Sequence, residues 1–147
     1  MMRNLGSRSV GFFRPLLVCA ALCGAAAAGF VVAQNRPNGP PVLFSAPLAD
    51  MPGKQLVVVQ LTLQPKQAGQ PATAHRHPGS VYVYVTEGKA RLGVEGQPVQ
   101  EVATGGSFFE PPGALHTVAE SASATEAASA IAVMIVPEGS PLVLPPQ

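Results

Sequence analysis

Gly69-Gln-Pro-Ala-Thr-Ala-His75-Arg76-His77-Pro-Gly-Ser-Val81-Tyr-Val-Tyr-Val-Thr-Glu-Gly88 is the stretch whose reading decides the fold. Its second half, Val81-Tyr-Val-Tyr-Val-Thr86, alternates β-branched and aromatic residues and ends in a Glu-Gly turn. Such residues favour a pleated, half-buried strand. On that strand Val81, Val83 and Val85 share one face, and Tyr82 and Tyr84 share the other. His75 and His77 stand two residues apart, so an extended backbone puts both imidazoles on one side.

Outward from this stretch, short β-rich runs recur with Gly or Pro between them. The sequence predicts strands at 56–63, 81–86, 90–94, 98–102, 107–110, 115–119 and 130–136. Spacings of about 8–12 residues between such runs point to an all-β sandwich or barrel. Residues 34–55 are rich in Pro and Gly and read as an extended lead-in with a short edge strand near Val42. Residues 56–137 form the barrel, and the Pro-rich tail 138–147 is expected along its surface. The stretch 120–129 lacks large apolar residues at helical spacing and reads as a solvated loop. No internal repeat is present.

The N-terminus carries a different signal. Arg3, Arg8 and Arg14 precede an apolar run over 15–33 that ends in Val31-Val32-Ala33. This is the pattern of a secretory signal peptide spanning 1–33, cleaved after Ala33, which places the mature chain in the periplasm or outside the cell. The alternative is an uncleaved membrane anchor, since the run nearly reaches the length that spans about 30 Å of hydrocarbon; its Ala and Gly content makes it a weak span. Lipidation fits poorly, because neither Cys19 nor Cys23 follows a small residue. Cleavage would remove both cysteines and leave no thiol ligand. The mature balance would be six Lys and Arg against eight Asp and Glu, or −2, with no basic run. Nucleic-acid binding, which needs a basic patch, has no support.

The chain has three histidines, and they fall in two short segments. His75 and His77 make half of a metal site, and His116 follows Pro111-Pro112-Gly113, a tight turn able to aim a third ring inward. Neutral imidazoles suit first-row transition metals such as Zn, Fe and Ni. Taken alone, a His-x-His pair is more often two surface rings than a metal site; spacing across the whole domain raises the odds of a site.

That spacing resembles the cupin family. The first cupin motif is matched by Gly69, His75, His77 and Gly88, and the second by Gly105, Pro111, Gly113 and His116. Two positions depart: Val81 stands where the first motif has Glu, and Glu120 where the second has Asn. The resemblance implies a double-stranded β-helix (jelly-roll) barrel of six to eight strands, with His75, His77 and His116 binding one divalent transition metal (Fe, Mn, Ni or Zn) inside it. Val81 cannot coordinate, so the implied site is either three imidazoles with open positions or has a replacement ligand. Glu110 is the candidate replacement, because a carboxylate beside Phe108-Phe109 needs a reason to be in a strand. Glu110 pointing to solvent at the barrel rim is the other reading, and strand parity does not choose between them because the Pro turn breaks the alternation.

The pocket is expected to be small and apolar, lined by Val81, Val83 and one of the two phenylalanines, Phe108. Arg76, between the two ligands, points away from them and reads as a salt-bridging surface residue. No further His or Cys remains to act as base, so the metal would carry the chemistry. Three functions are open: an iron-type oxygenase (a dioxygenase among them) acting on a small organic molecule, a non-redox Zn or Mn isomerase or lyase, and a metal- or ligand-binding module without turnover. The resemblance also allows a homodimer, paired through an outer sheet or an exchanged N-terminal strand within 35–52.

Overall fold

The computed structural model describes residues 39–65 and 74–147. The expected signal peptide, its cleavage point and Gly69 of the first motif lie outside the described residues. Nine strands follow one another: β1 (Val42–Pro47), β2 (Lys54–Leu63), β3 (His75–Arg76), β4 (Ser80–Glu87), β5 (Lys89–Val94), β6 (Gln100–Ala103), β7 (Ser107–Glu110), β8 (Leu115–Ser121) and β9 (Ala128–Pro137). They form a five-stranded sheet in the order β1-β2-β9-β4-β7 and a four-stranded sheet in the order β3-β8-β5-β6. Every strand pair is antiparallel. This is the all-β barrel expected from the spacing of the runs, in the double-stranded β-helix form that the cupin resemblance implies.

The alternation read in the sequence sets the core. Val81, Val83 and Val85 are buried, while Tyr82 and Tyr84 are exposed. On β9 the small residues Ala128, Ala130 and Ala132 face inward with Met134 and Val136. Leu92 and Val94 of β5 and Phe108 of β7 complete the packing from both sheets. Each fully buried Val, Leu or Phe contributes about 1.5–3 kcal/mol of apolar burial.

Two glycines make the crossings near the site possible. Gly79 lies between β3 in one sheet and β4 in the other, and a Cβ there would collide with the Ile135 carbonyl of β9. Gly113, at φ 72°, closes the Pro-Pro-Gly turn in the left-handed region that glycine adopts without strain. The expected edge strand near Val42 is longer than the sequence indicates: β1 runs to Pro47 and pairs with β2 of its own chain. The tail lies along the surface and is also paired: Leu144 forms an antiparallel bridge with Arg76.

Candidate metal centre

β3 pairs with β8 over two residues, His75 opposite His116 and Arg76 opposite Leu115. Direct opposition brings the first and third imidazoles together across 41 residues of sequence. His77 follows on the same face as His75. The ring centroids of His75 lie 4.8 Å from those of His77 and 5.1 Å from those of His116. The His75 and His77 Nε2 atoms are 3.2 Å apart, and one nitrogen from each of the three rings falls within 4.8 Å of the others. His77 and His116 are buried, and His75 is partly buried.

The fourth group comes from the other sheet. β7 pairs with β4 so that Glu110 stands directly opposite Val81. Both side chains therefore point into the barrel, and Glu110 is 2% exposed. Its Oε2 lies 3.2 Å from His116 Nδ1 and 3.6 Å from His77 Nε2. The solvent-facing alternative for Glu110 does not occur. The motif's carboxylate is missing at Val81, yet a carboxylate enters the same corner from the neighbouring strand. Facing residues on paired strands have Cβ atoms about 4.5–5.5 Å apart, so a longer side chain reaches what its partner would have reached.

These residues fit a cation. Glu110 Oε2 and both ring nitrogens of His116 are buried without a hydrogen-bond partner among the described residues. The 3.2 Å approach of Glu110 to His116 is close, but the two groups are not aligned as a hydrogen bond. An orphaned buried polar group costs about 1–3 kcal/mol, and three in one corner call for an explanation. The His75 and His77 Nε2 atoms, hydrogen-bonded to each other at 3.2 Å, stand about as far apart as two nitrogens about 2.1 Å from a single ion would. His77 Nδ1–H donates to the Leu142 carbonyl at 2.6 Å. A carbonyl can only accept, so this bond holds the proton on Nδ1 and directs the Nε2 lone pair at the site. That is the arrangement ligating histidines use.

Burial sets the electrostatics. Loss of water pushes the Glu110 carboxyl up to about 7. It pushes His116 down to about 4, helped by the neighbouring His75 and His77 imidazoles and opposed by the backbone of Val118. His77 is lowered as well, first by burial, with the Leu142 hydrogen bond opposing and His75 adding to the shift.

A cavity of about 250 Å³ opens beside these groups. Its walls include Val59, Leu61, Val81, Val83, Ala132 and Met134, closed on one side by Leu142 and Val143. Among the described residues no lysine or arginine lines it, and the polar side chains there are the three imidazoles and Glu110. Val81 and Val83 stand where the sequence placed them. Phe108 does not: it is buried in the core but is not part of the cavity wall. Its neighbour Phe109 is 55% exposed. Among the described residues Arg76 has no carboxylate partner; its guanidinium donates to the backbone oxygens of Gln147 and Gly113. Glu120, at the second motif's departure, pairs with Arg91 at 2.7 Å on the outer side of the four-stranded sheet. Sequence reasoning missed the part played by the tail. Its only signal was Leu142-Val143-Leu144, an apolar triplet amid prolines.

Comparison with known proteins agrees with the architecture. A family model described as a cupin domain matches residues 59–134. A protein with a double-stranded β-helix domain from Klebsiella pneumoniae superposes with a TM-score of 0.52 at 21% identity, covering 80% of this chain and 92% of that one. A DMSP lyase from Ruegeria pomeroyi is 19% identical with a TM-score of 0.45, covering 64% of this chain and 43% of its own. A mutant oxalate decarboxylase from Bacillus subtilis is 21% identical with a TM-score of 0.49, covering 61% of this chain and 23% of its own. This chain thus spans less than half the length of either enzyme, and the likeness is one of fold. No curated protein sequence matches the chain.

Proposed function

This chain belongs to the cupin domain family, and from that premise we propose that it is an exported oxygenase holding one divalent transition metal, iron first among the candidates, on His75, His77 and His116 with Glu110 as the fourth ligand. The observation that carries the reading is the convergence of three imidazoles and one orphaned buried carboxylate at the wall of a small apolar cavity. When bound, a redox-active metal supplies O₂ activation, which no side chain of the pocket can provide, whereas zinc would supply Lewis acidity alone. The chain's own residues do the rest. The imidazoles would hold the ion, the Leu142 carbonyl fixes the His77 tautomer, and the Glu110 carboxylate would supply the fourth ligand and offset one charge of the cation. The aliphatic walls exclude water and bind the apolar part of the substrate.

The side chains described around the cavity are aliphatic apart from the three imidazoles and Glu110, which favours an apolar substrate over a phosphorylated one. The substrate class that fits is small, neutral and largely apolar, with one or two oxygen donors. At about 250 Å³ the cavity is below the usual range for drug-sized ligands. In a dioxygenase both atoms of O₂ enter the product and the substrate supplies all the electrons, so no outside reductant is required. The reading includes export on the strength of Arg3, Arg8, Arg14 and the apolar run to Ala33. It includes a homodimer on the strength of the exposed Phe44, Tyr82 and Phe109 on the outer face of the five-stranded sheet.

The test is the metal content of tag-free protein expressed with its own leader, beside His75→Ala/His77→Ala. About one iron per chain, lost in the double variant, together with O₂ uptake on adding small phenols or enols, supports the oxygenase. One zinc per chain and no O₂ uptake sinks it in favour of an isomerase or lyase. A folded protein that cannot be loaded with any metal leaves a ligand-binding module. An N-terminus beginning at Gln34 tests export.

A further inference from the structure

Residues 141–147, expected as a surface tail, return across β3. The Leu144 N–H donates to the Arg76 carbonyl at 2.8 Å, and the Arg76 N–H donates to the Leu144 carbonyl at 3.1 Å. Two residues earlier in the same segment, the Leu142 carbonyl takes the His77 Nδ1–H at 2.6 Å. The side chains of Leu142 and Val143 close one wall of the cavity. The Arg76 side chain ties this arrangement together. Its Nε donates to the Gln147 backbone oxygen at 2.9 Å and its Nη1 to the Gly113 carbonyl at 2.7 Å. Gly113 in turn donates its N–H to the His77 carbonyl at 2.9 Å. One residue between two ligands thus fastens the tail to the turn that carries the third.

We propose that residues 141–147 form a strap that fixes the His77 ring for metal, and that Arg76 is the positioning residue that holds the strap in place. β3 is two residues long and pairs with β8 through those two alone, so its backbone has little sheet of its own to hold it. The strap supplies the missing edge partner. It also decides which nitrogen of His77 is protonated, because a neutral imidazole has one donor and one acceptor nitrogen and a carbonyl selects the donor. With the Leu142 carbonyl withdrawn, the proton is free to move to Nε2, where it blocks the lone pair aimed at the site. The effect on metal rests on the reading of the imidazoles as ligands; the hold on the ring does not, and is a property of the metal-free protein.

The experiment separates the two. Protein labelled with ¹⁵N-histidine is compared as wild type, Arg76→Ala, Arg76→Lys and Leu144→Pro, the last removing the N–H that binds the Arg76 carbonyl. Metal-free NMR spectra give the His77 tautomer, and titration with cobalt(II) gives affinity. The wild type is expected to hold the proton on Nδ1. Arg76→Ala and Leu144→Pro are expected to show mixed tautomers and about 10–100-fold weaker cobalt binding, the range for outer-shell partners of metal ligands. Arg76→Lys, able to reach only one of the two backbone oxygens, is expected to fall between. If Leu144→Pro does not fold, Arg76→Ala, whose bonds lie on the exposed side, carries the test. Unchanged tautomer and affinity in Arg76→Ala overturn the strap. A wild type that keeps Nδ1–H but binds no cobalt overturns the metal reading and leaves the strap's hold on His77 standing.

Discussion

Two neighbouring rows of side chains cross the five-stranded sheet and differ by one residue in register. The inner row runs Val57, Met134, Val81, Glu110. The outer row runs Phe44, Val58, Val133, Tyr82, Phe109. Both are almost wholly apolar, yet they have opposite surroundings. The inner row is sealed, and its one polar member, Glu110, is 2% exposed. The outer row presents Phe44, Tyr82 and Phe109 to solvent. Composition does not separate them; side-chain alternation does, since a shift of one residue moves a strand's whole set to the other face. A carboxylate in the inner row needs a partner, and Glu110 Oε2 has the imidazoles of His77 and His116 beside it but no hydrogen bond among the described residues, whereas an aromatic in the outer row needs none.

The largest effect expected is on the inner side, where the row meets the imidazoles. His75→Ala/His77→Ala removes two of three ring ligands and should abolish stoichiometric metal binding, measured by elemental analysis after dialysis; a double variant that still holds one metal per chain would break the assignment. Glu110→Leu should act in opposite directions on two quantities. Metal-free stability should rise by about 1–3 kcal/mol in denaturant titration, because a buried unsatisfied carboxylate is gone. Affinity for metal should fall by at least about tenfold, on the scale that supporting groups of a metal site carry. Glu110→Val combined with Val81→Glu should recover much of that affinity, since it moves the carboxylate back across one strand pair. A double variant as weak as Glu110→Val alone would show that the two positions are not equivalent.

Acidity sharpens the same contrast. Glu110 in the metal-free protein keeps its proton up to about pH 7, so loading must displace it. Apparent affinity should therefore weaken as pH falls below about 7, approaching tenfold per unit when one proton competes, and in Glu110→Gln this dependence should largely vanish. Stability has two opposing parts. The raised carboxyl contributes stability that is present below its ordinary 4.5 and lost as pH rises through about 7. His116 is lowered from 6.5 to about 4, so its contribution is present above 6.5 and lost as pH falls through about 4. Between these limits the carboxyl opposes His116, while His77, lowered in the same direction as His116, adds to the rise with pH. Thermal melts of metal-free Glu110→Gln should show stability rising with pH from about 4 to 6.5 more steeply than in the wild type.

The smallest effect belongs to the outer row. Tyr82→Ser should change metal affinity not at all and monomer stability by about 0.5 kcal/mol or less, as surface substitutions do. Its consequence is sought in light scattering, where a mass of two chains should drop to one in Tyr82→Ser/Phe109→Ser. A wild type that runs as a single chain at high concentration removes the homodimer from the proposal.

What the sequence determined is local. Alternation in Val81-Tyr-Val-Tyr-Val85 gave the strand and its faces, and Phe108-Phe109 divided as expected into one buried and one exposed ring. Turn residues marked the breaks between strands, and the two-residue spacing of His75 and His77 put both rings on one side. Matching spacing around His116 made the triad legible before any contact was known. Two features were decided by tertiary structure alone. Whether Glu110 faces the cavity depended on its pairing with Val81, 29 residues away along the chain, and no local pattern carries that register across a proline turn. The docking of Leu142 and Leu144 beside His77 and Arg76 depended on an edge left open by a two-residue strand. Periodicity is written into neighbouring residues, but strand pairing and edge coverage are settled only when distant segments compete for the same backbone hydrogen bonds.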